Sequence, residues 1–163
     1  MADLICRWRN GTPKTVVELV NSLPHKKMKN DEFRKSMSTK WQGEFFTAPY
    51  QLACQLALYC EADDGFYYPR FDHDISSEEA RQYMQKWIQR YYVPNPFTKR
   101  GFINIVPSIY LLYGLVDYLE NNSNKPNLAT AGAALFGGEM GNILCVKYVL
   151  NEYSNIIEVD RDN

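Results

Sequence analysis

Residues 76–92 read SSEEARQYMQKWIQRYY, and this stretch decides the fold class. Ser76 followed three positions later by Glu79 is a capping box, the arrangement that satisfies the free amides at a helix start. Ala80, Met84, Trp87, Ile88 and Tyr91 then recur at helical spacing and form one narrow apolar stripe. The pattern predicts an amphipathic helix to about Tyr92, closed by Val93-Pro94-Asn95-Pro96.

The same grammar recurs on both sides. Thr12-Pro13 opens a helix to about Leu23 with Val16, Leu19, Val20 and Leu23 on one face, and Pro24 ends it. His25 to Lys29 is polar and basic and is expected to be a loop. Asp31 is expected to cap a short piece carrying Phe33 and Met37. Thr47-Ala48-Pro49 starts a helix expected to reach Cys60 and to bury Tyr50, Ala53, Cys54, Ala57 and Leu58. Asp63-Asp64-Gly65 is a turn, and Phe66 to Phe71 an extended segment. Beyond Pro96 a loop through Gly101 leads to a further extended piece, Phe102 to Val106. Then come an apolar helix from Pro107 to about Glu120, a short Ala-rich helix over Leu128 to Phe136, and a last helix from Asn142 to about Tyr153. Ile156 to Val159 is a strand or a docked tail.

The expectation is therefore a mainly α fold. It is a compact helical domain of about six or seven helices with two or three short extended segments. We take residues 1–163 as one domain, with 1–42 a basic helical part and 43–163 the helical core.

Composition narrows the function classes. An apolar share of 45% and a charged share of 23% are those of a folded globular chain, not of a disordered tail or a rod. The apolar run from Val106 to Val116, interrupted by Ser108 and Gly114, is too short to cross a bilayer. With no signal-like start, the cytoplasm is the expected compartment. Cys6, Cys54, Cys60 and Cys145 form no C-x-x-C pair, and neither His25 nor His73 lies beside them, so no zinc site is expected. Cys54 and Cys145 read as buried thiols.

No catalytic motif emerges. There is no G-x-S-x-G, no P-loop and no Asp/Glu-x-Lys triplet, and Gly137 to Gly141 reads as a tight turn between helices. We therefore expect a protein that is not an enzyme, with no cofactor and no metal. Asp72-His73-Asp74 offers several ligand types, but its place ahead of the capping box reads as a polar turn. Any unrecognised enzymatic chemistry would fall there.

Charge is the more informative signal. The formal net charge is −1, yet residues 1–42 carry nine basic and four acidic side chains, a balance of +5. From Arg81 through Val116, 36 residues contain no Asp or Glu and five basic groups. Basic groups among aromatics contact phosphates while rings stack or wedge between bases. The expected nucleic-acid contacts are Arg7, Arg9, Lys26, Lys27 and Lys29 together with Lys86, Arg90, Lys99 and Arg100, with Tyr92 or Phe97 as a wedge or stacking group. Lys86 and Arg90 lie one helical turn apart and away from the Met84–Trp87–Tyr91 stripe.

Asn10-Gly11-Thr12-Pro13, a helix and then Trp41 resemble the N-terminal region of type IIS and nicking restriction endonucleases. Val106-Pro107, Leu111-Leu112 and Leu115 in a helix, then Ala133-Ala134-Leu135-Phe136 after a turn, are similar to the helical DNA-recognition modules of those enzymes. The resemblance covers short patches and carries no catalytic residue across. It implies a target-recognition module or a companion subunit in restriction-modification, with double-stranded DNA as partner. The competing expectation is a protein-interaction subunit or homodimer without nucleic-acid binding, using Tyr67-Tyr68-Pro69-Arg70 or Tyr91 to Phe97.

Overall fold

The computed structural model describes residues 11–93, 95, 107–122, 127–136 and 146–160. Over these the fold is mainly α, with seven helices and a few short strands in small antiparallel sheets. The described residues fall into two compact units, one reaching Gln82 and the other starting at Tyr83.

In the first unit, helix α1 (Pro13–Ser22) starts as its sequence requires. The Thr12 side chain accepts the Thr15 amide at 3.1 Å, and Pro13 occupies the first turn, where no amide is needed. Val16, Leu19, Val20 and Leu23 are all buried. Strand β1 (Met28–Lys29) replaces the expected loop. Helix α2 (Asn30–Lys40) follows at once and buries Phe33 and Met37; its cap position is Lys29, so Asp31 sits inside the first turn rather than capping it. Helix α3 (Ala48–Gln55) ends five residues before the expected Cys60. Ala57 adopts a left-handed φ of 54°, which no helix can continue through. The chain leaves as β2 (Tyr59–Glu61), turns through Asp63-Asp64-Gly65, and returns as β3 (Phe66–Pro69). Gly65 supplies the positive φ of 82° that the turn needs, and the Asp64 carboxylate accepts the Phe66 amide at 2.9 Å.

The sheet order is β1-β3-β2, antiparallel throughout. Tyr67 on β3 faces Met28 and Glu61, while Phe66 faces Lys29 and Tyr68 faces Cys60. Directly opposed residues share a face, so the sheet has an inner side with Tyr67, Tyr59 and Met28 and an outer side with Phe66, Tyr68, Cys60 and Lys29. On the inner side, Phe33 stacks on Tyr67 at 4.1 Å and meets Phe45 edge-on at 6.2 Å, and Tyr59 packs against both Phe33 and Tyr67. Burial of these four rings is nearly complete. The Tyr67 hydroxyl, which burial would otherwise leave unpaired, donates to the Pro24 carbonyl at 2.7 Å. Burial also raises its pKa above the usual tyrosine value.

Helix α4 (Ser77–Arg90) carries the capping box. The Ser76 amide donates to Glu79 at 2.8 Å, and the Glu79 amide donates back to the Ser76 hydroxyl at 3.3 Å. Ala80, Met84, Trp87, Ile88 and Tyr91 are buried, as their spacing predicts.

In the second unit, α4 gives way to β4 (Tyr92–Val93), which pairs antiparallel with β5 (Ile109–Tyr110). That pairing delays the expected Pro107 helix, and α5 spans Leu111–Glu120. Gly114 lies against Ile109 and Leu135, so a Cβ there would stand 2.8 Å from the Ile109 Cδ1. Helix α6 (Leu128–Phe136) packs on α5. Helix α7 (Lys147–Tyr153) buries Val149, Leu150 and Tyr153. Beyond it the chain docks without forming a strand. The Asn151 side-chain amide donates to the Val159 carbonyl at 3.0 Å, and its oxygen accepts the Val159 amide at 2.6 Å. The expected start of this last helix at Asn142, the extended piece from Phe102 to Val106, and Cys6 and Cys145 lie outside the described residues. No helix among the described residues is long and apolar enough to cross a membrane.

Candidate functional site

Three of the basic residues singled out from the sequence, Lys26, Lys27 and Lys29, are exposed on the first unit, and two of them share a face. Because side chains alternate along a strand, Lys27 and Lys29 share a face, which is the outer face of the sheet. The Lys27 ammonium stands 4.3 Å from the Phe66 ring centroid and 5.0 Å from that of Tyr68. A cation at these distances is held by the quadrupoles of the rings. Lys26 and Lys29 are exposed beside it, and none of the three makes an ion pair among the described residues. Near them the Tyr68 hydroxyl donates to Asp64, and that bond together with the Phe66 amide holds the Asp64 carboxyl below its ordinary range.

Three other cations of the same basic segment are already engaged, while Lys35 is exposed without an ion pair among the described residues. Arg34 makes two bonds to Glu61, at 2.9 and 2.7 Å, and lies 5.3 Å over the Phe46 ring. The bond to Glu61 raises the Arg34 pKa further. Lys40 donates to the Ser22 carbonyl at 2.8 Å, and Lys14 lies 3.9 Å from Glu18. The residues left for a ligand are thus a subset that charge counting could not separate from its neighbours.

A small cavity opens beside this face, lined by Ala57, Tyr59, Cys60, Tyr68, Pro69 and Arg70, with a volume of about 260 Å3. The Arg70 Nε donates to the Ala57 carbonyl at 3.2 Å, which aims the guanidinium along the cavity wall. On the inner side of β2, the Cys54 thiol donates to the Tyr59 hydroxyl at 3.4 Å, and burial pushes the pKa of both groups up. Cys54 is half-buried and Cys60 exposed.

Comparison of the chain with family models, curated proteins and solved structures finds no match. The geometry therefore carries the functional argument by itself.

In the second unit, Lys86 and Arg90 are exposed on α4 and form no ion pair among the described residues. Tyr92 is 43% exposed and faces Tyr110 across the β4–β5 ribbon. Tyr110 in turn meets Tyr113 edge-on at 6.3 Å. Arg7, Arg9, Phe97, Lys99 and Arg100 lie outside the described residues.

The Asp72-His73-Asp74 turn is built around the helix start. His73 Nδ1 is 2.7 Å from Asp72 and its Nε2 is 2.9 Å from Glu79, so both ring nitrogens face carboxylates. The bond to Asp72, and next that to Glu79, raise the His73 pKa, while Asp72 and Glu79 are lowered in return. His25 pairs with Asp74 at 2.7 Å. Among the described residues no group of three or more His, Cys, Asp or Glu side chains could hold a metal ion.

Sequence reading missed Phe66, Tyr68 and Arg70 as part of the basic site. The signal was available in the period-two alternation of Phe66-Tyr67-Tyr68, which sends the outer two rings to one face and the middle ring to the other. Tyr67, expected within an interaction surface, is fully buried because that alternation points it into the core.

Proposed function

We propose that this chain is a non-catalytic nucleic-acid-binding module or companion subunit. It holds the phosphates of double-stranded DNA on Lys26, Lys27 and Lys29, with Lys86, Arg90 and Tyr92 as further contacts. The observation that carries the reading is the Lys27 ammonium set over Phe66 and Tyr68, between two exposed lysines free of ion pairs. Unpaired cations on a surface are available to displace counterions from a phosphate backbone, and adjacent rings supply a contact that tolerates any base sequence.

The test is duplex binding by fluorescence anisotropy across a salt series. The reading expects affinity that falls steeply with salt. The combined variant Lys26→Glu, Lys27→Glu, Lys29→Glu should reduce the salt slope by roughly 2 to 3, about one for each phosphate deprived of its lysine. Absence of binding at low salt, or an unchanged slope in that variant, sinks the proposal.

A second reading has its own observation. Among the described residues every large apolar side chain left exposed lies in the second unit: Tyr92, Tyr110, Tyr113, Leu119, Tyr148 and Ile156. Exposed tyrosines suit a protein interface. A homodimer or hetero-complex that sediments intact, and that ignores the lysine reversals, favours this interaction role.

A further inference from the structure

We propose that the cavity at the end of β3 seats a single unpaired nucleobase, with Tyr68 as its stacking ring and Arg70 as the hydrogen-bond donor on its wall. The proposal rests on the nucleic-acid reading and narrows it to a class of ligand. At about 260 Å3 the cavity lies below the roughly 300–1,000 Å3 of drug-sized sites and suits one planar ring system. Its lining includes the aromatic Tyr68 with Pro69 on one hand and Arg70 on the other, while the Tyr59 ring itself packs into the inner cluster. Flat apolar walls with a fixed, forked donor recognise a planar heterocycle bearing carbonyl or ring-nitrogen acceptors on its edge.

The setting around the cavity points the same way. Tyr68 belongs both to the cavity and to the pair of rings under Lys27, so a base against Tyr68 would have a cation beside it for its own or the next phosphate. Arg70 is held by its Nε on the Ala57 carbonyl, which leaves its terminal nitrogens without a partner among the described residues. That carbonyl is presented by a residue in the left-handed region, Ala57 at φ 54°, a conformation rare outside glycine and found where surrounding structure enforces it. A base still paired in a duplex has both faces stacked and its edge engaged, so it cannot enter. Only a single-stranded segment or an extruded base can.

The test uses the full chain with a fluorescein-labelled ten-nucleotide thymidine strand, compared with a blunt duplex of equal length at matched low salt. The expected result is tighter binding of the single strand. Tyr68→Leu should weaken that binding by roughly 5- to 150-fold, the range for removal of one stacking ring, and weaken duplex binding by a clearly smaller factor. Tyr68→Phe keeps the ring, loses only the bond to Asp64, and should bind as the parent does. Cys60 on the cavity wall gives a second readout: its alkylation by N-ethylmaleimide, followed on the Cys60 peptide, should slow in the presence of the strand. If strand and duplex bind equally and Cys60 stays unprotected, the base seat is overturned while phosphate binding stands. Equal weakening of both ligands by Tyr68→Leu and Tyr68→Phe also overturns it. If neither ligand binds, the nucleic-acid reading falls as well.

Discussion

The two units treat their aromatic side chains in opposite ways. In the first, Phe33, Phe45, Tyr59 and Tyr67 are sealed into one cluster, and the half-buried rings Phe66 and Tyr68 sit under a lysine. In the second, Tyr110 is 55% exposed and Tyr113 70% exposed, with no cation set over either among the described residues. A ring under a cation is a surface prepared for charge, and a bare ring is a surface prepared for apolar contact. One unit thus presents a cation over paired rings, and the other presents bare rings to solvent.

The contrast is easiest to break at the inner cluster. Tyr67→Ala removes the ring stacked on Phe33 and leaves the Pro24 carbonyl without its donor. It should cost about 3–5 kcal/mol in urea denaturation, as large-to-small core changes do. A loss below 1 kcal/mol would mean that the first unit is not closed around these rings. Next in size is the start of α4: Ser76→Ala should cost about 0.5–2 kcal/mol, the usual effect of removing a capping hydroxyl. Tyr113→Ser should change stability by no more than about 0.5 kcal/mol, because its ring is mostly in water. A loss of several kcal/mol there would place Tyr113 in a core and erase the difference between the units.

The smallest effect is a pH trend. His73 has a raised pKa, so its contribution is complete below the ordinary histidine value near 6.5 and is lost as pH rises through the raised one. Glu79 is lowered from 4.5, so its contribution is present above that value and is lost as pH falls through the lowered one. The Tm difference between the parent and His73→Gln should therefore be greatest between about pH 4.5 and 6.5 and shrink as pH rises above that window. A difference that is flat over this range would show that the imidazole adds nothing to the helix start.

What was legible in the sequence followed the range of the interactions. Thr12-Pro13 and Ser76 with Glu79 act within one turn of helix, so composition and spacing disclose them. The stripe from Ala80 to Tyr91 is legible for the same reason. Strand β1 was not, because Met28 and Lys29 become a strand only through pairing with Phe66 and Tyr67, far along the chain. The early end of α3 was hidden too, since an alanine carries no mark of a left-handed φ. The site shows both cases: Lys27 could be named from its charge, but the rings beneath it required the β1–β3 pairing.

Glu79 performs two tasks with one carboxylate, accepting the Ser76 amide on one oxygen and His73 on the other. Substitutions at positions 73, 76 and 79 are therefore not independent. Once Glu79 is gone, replacing His73 has little left to remove, and a double-mutant cycle through the pair should close with a coupling energy rather than at zero. A change at any of the three positions alters which residues the other two can tolerate.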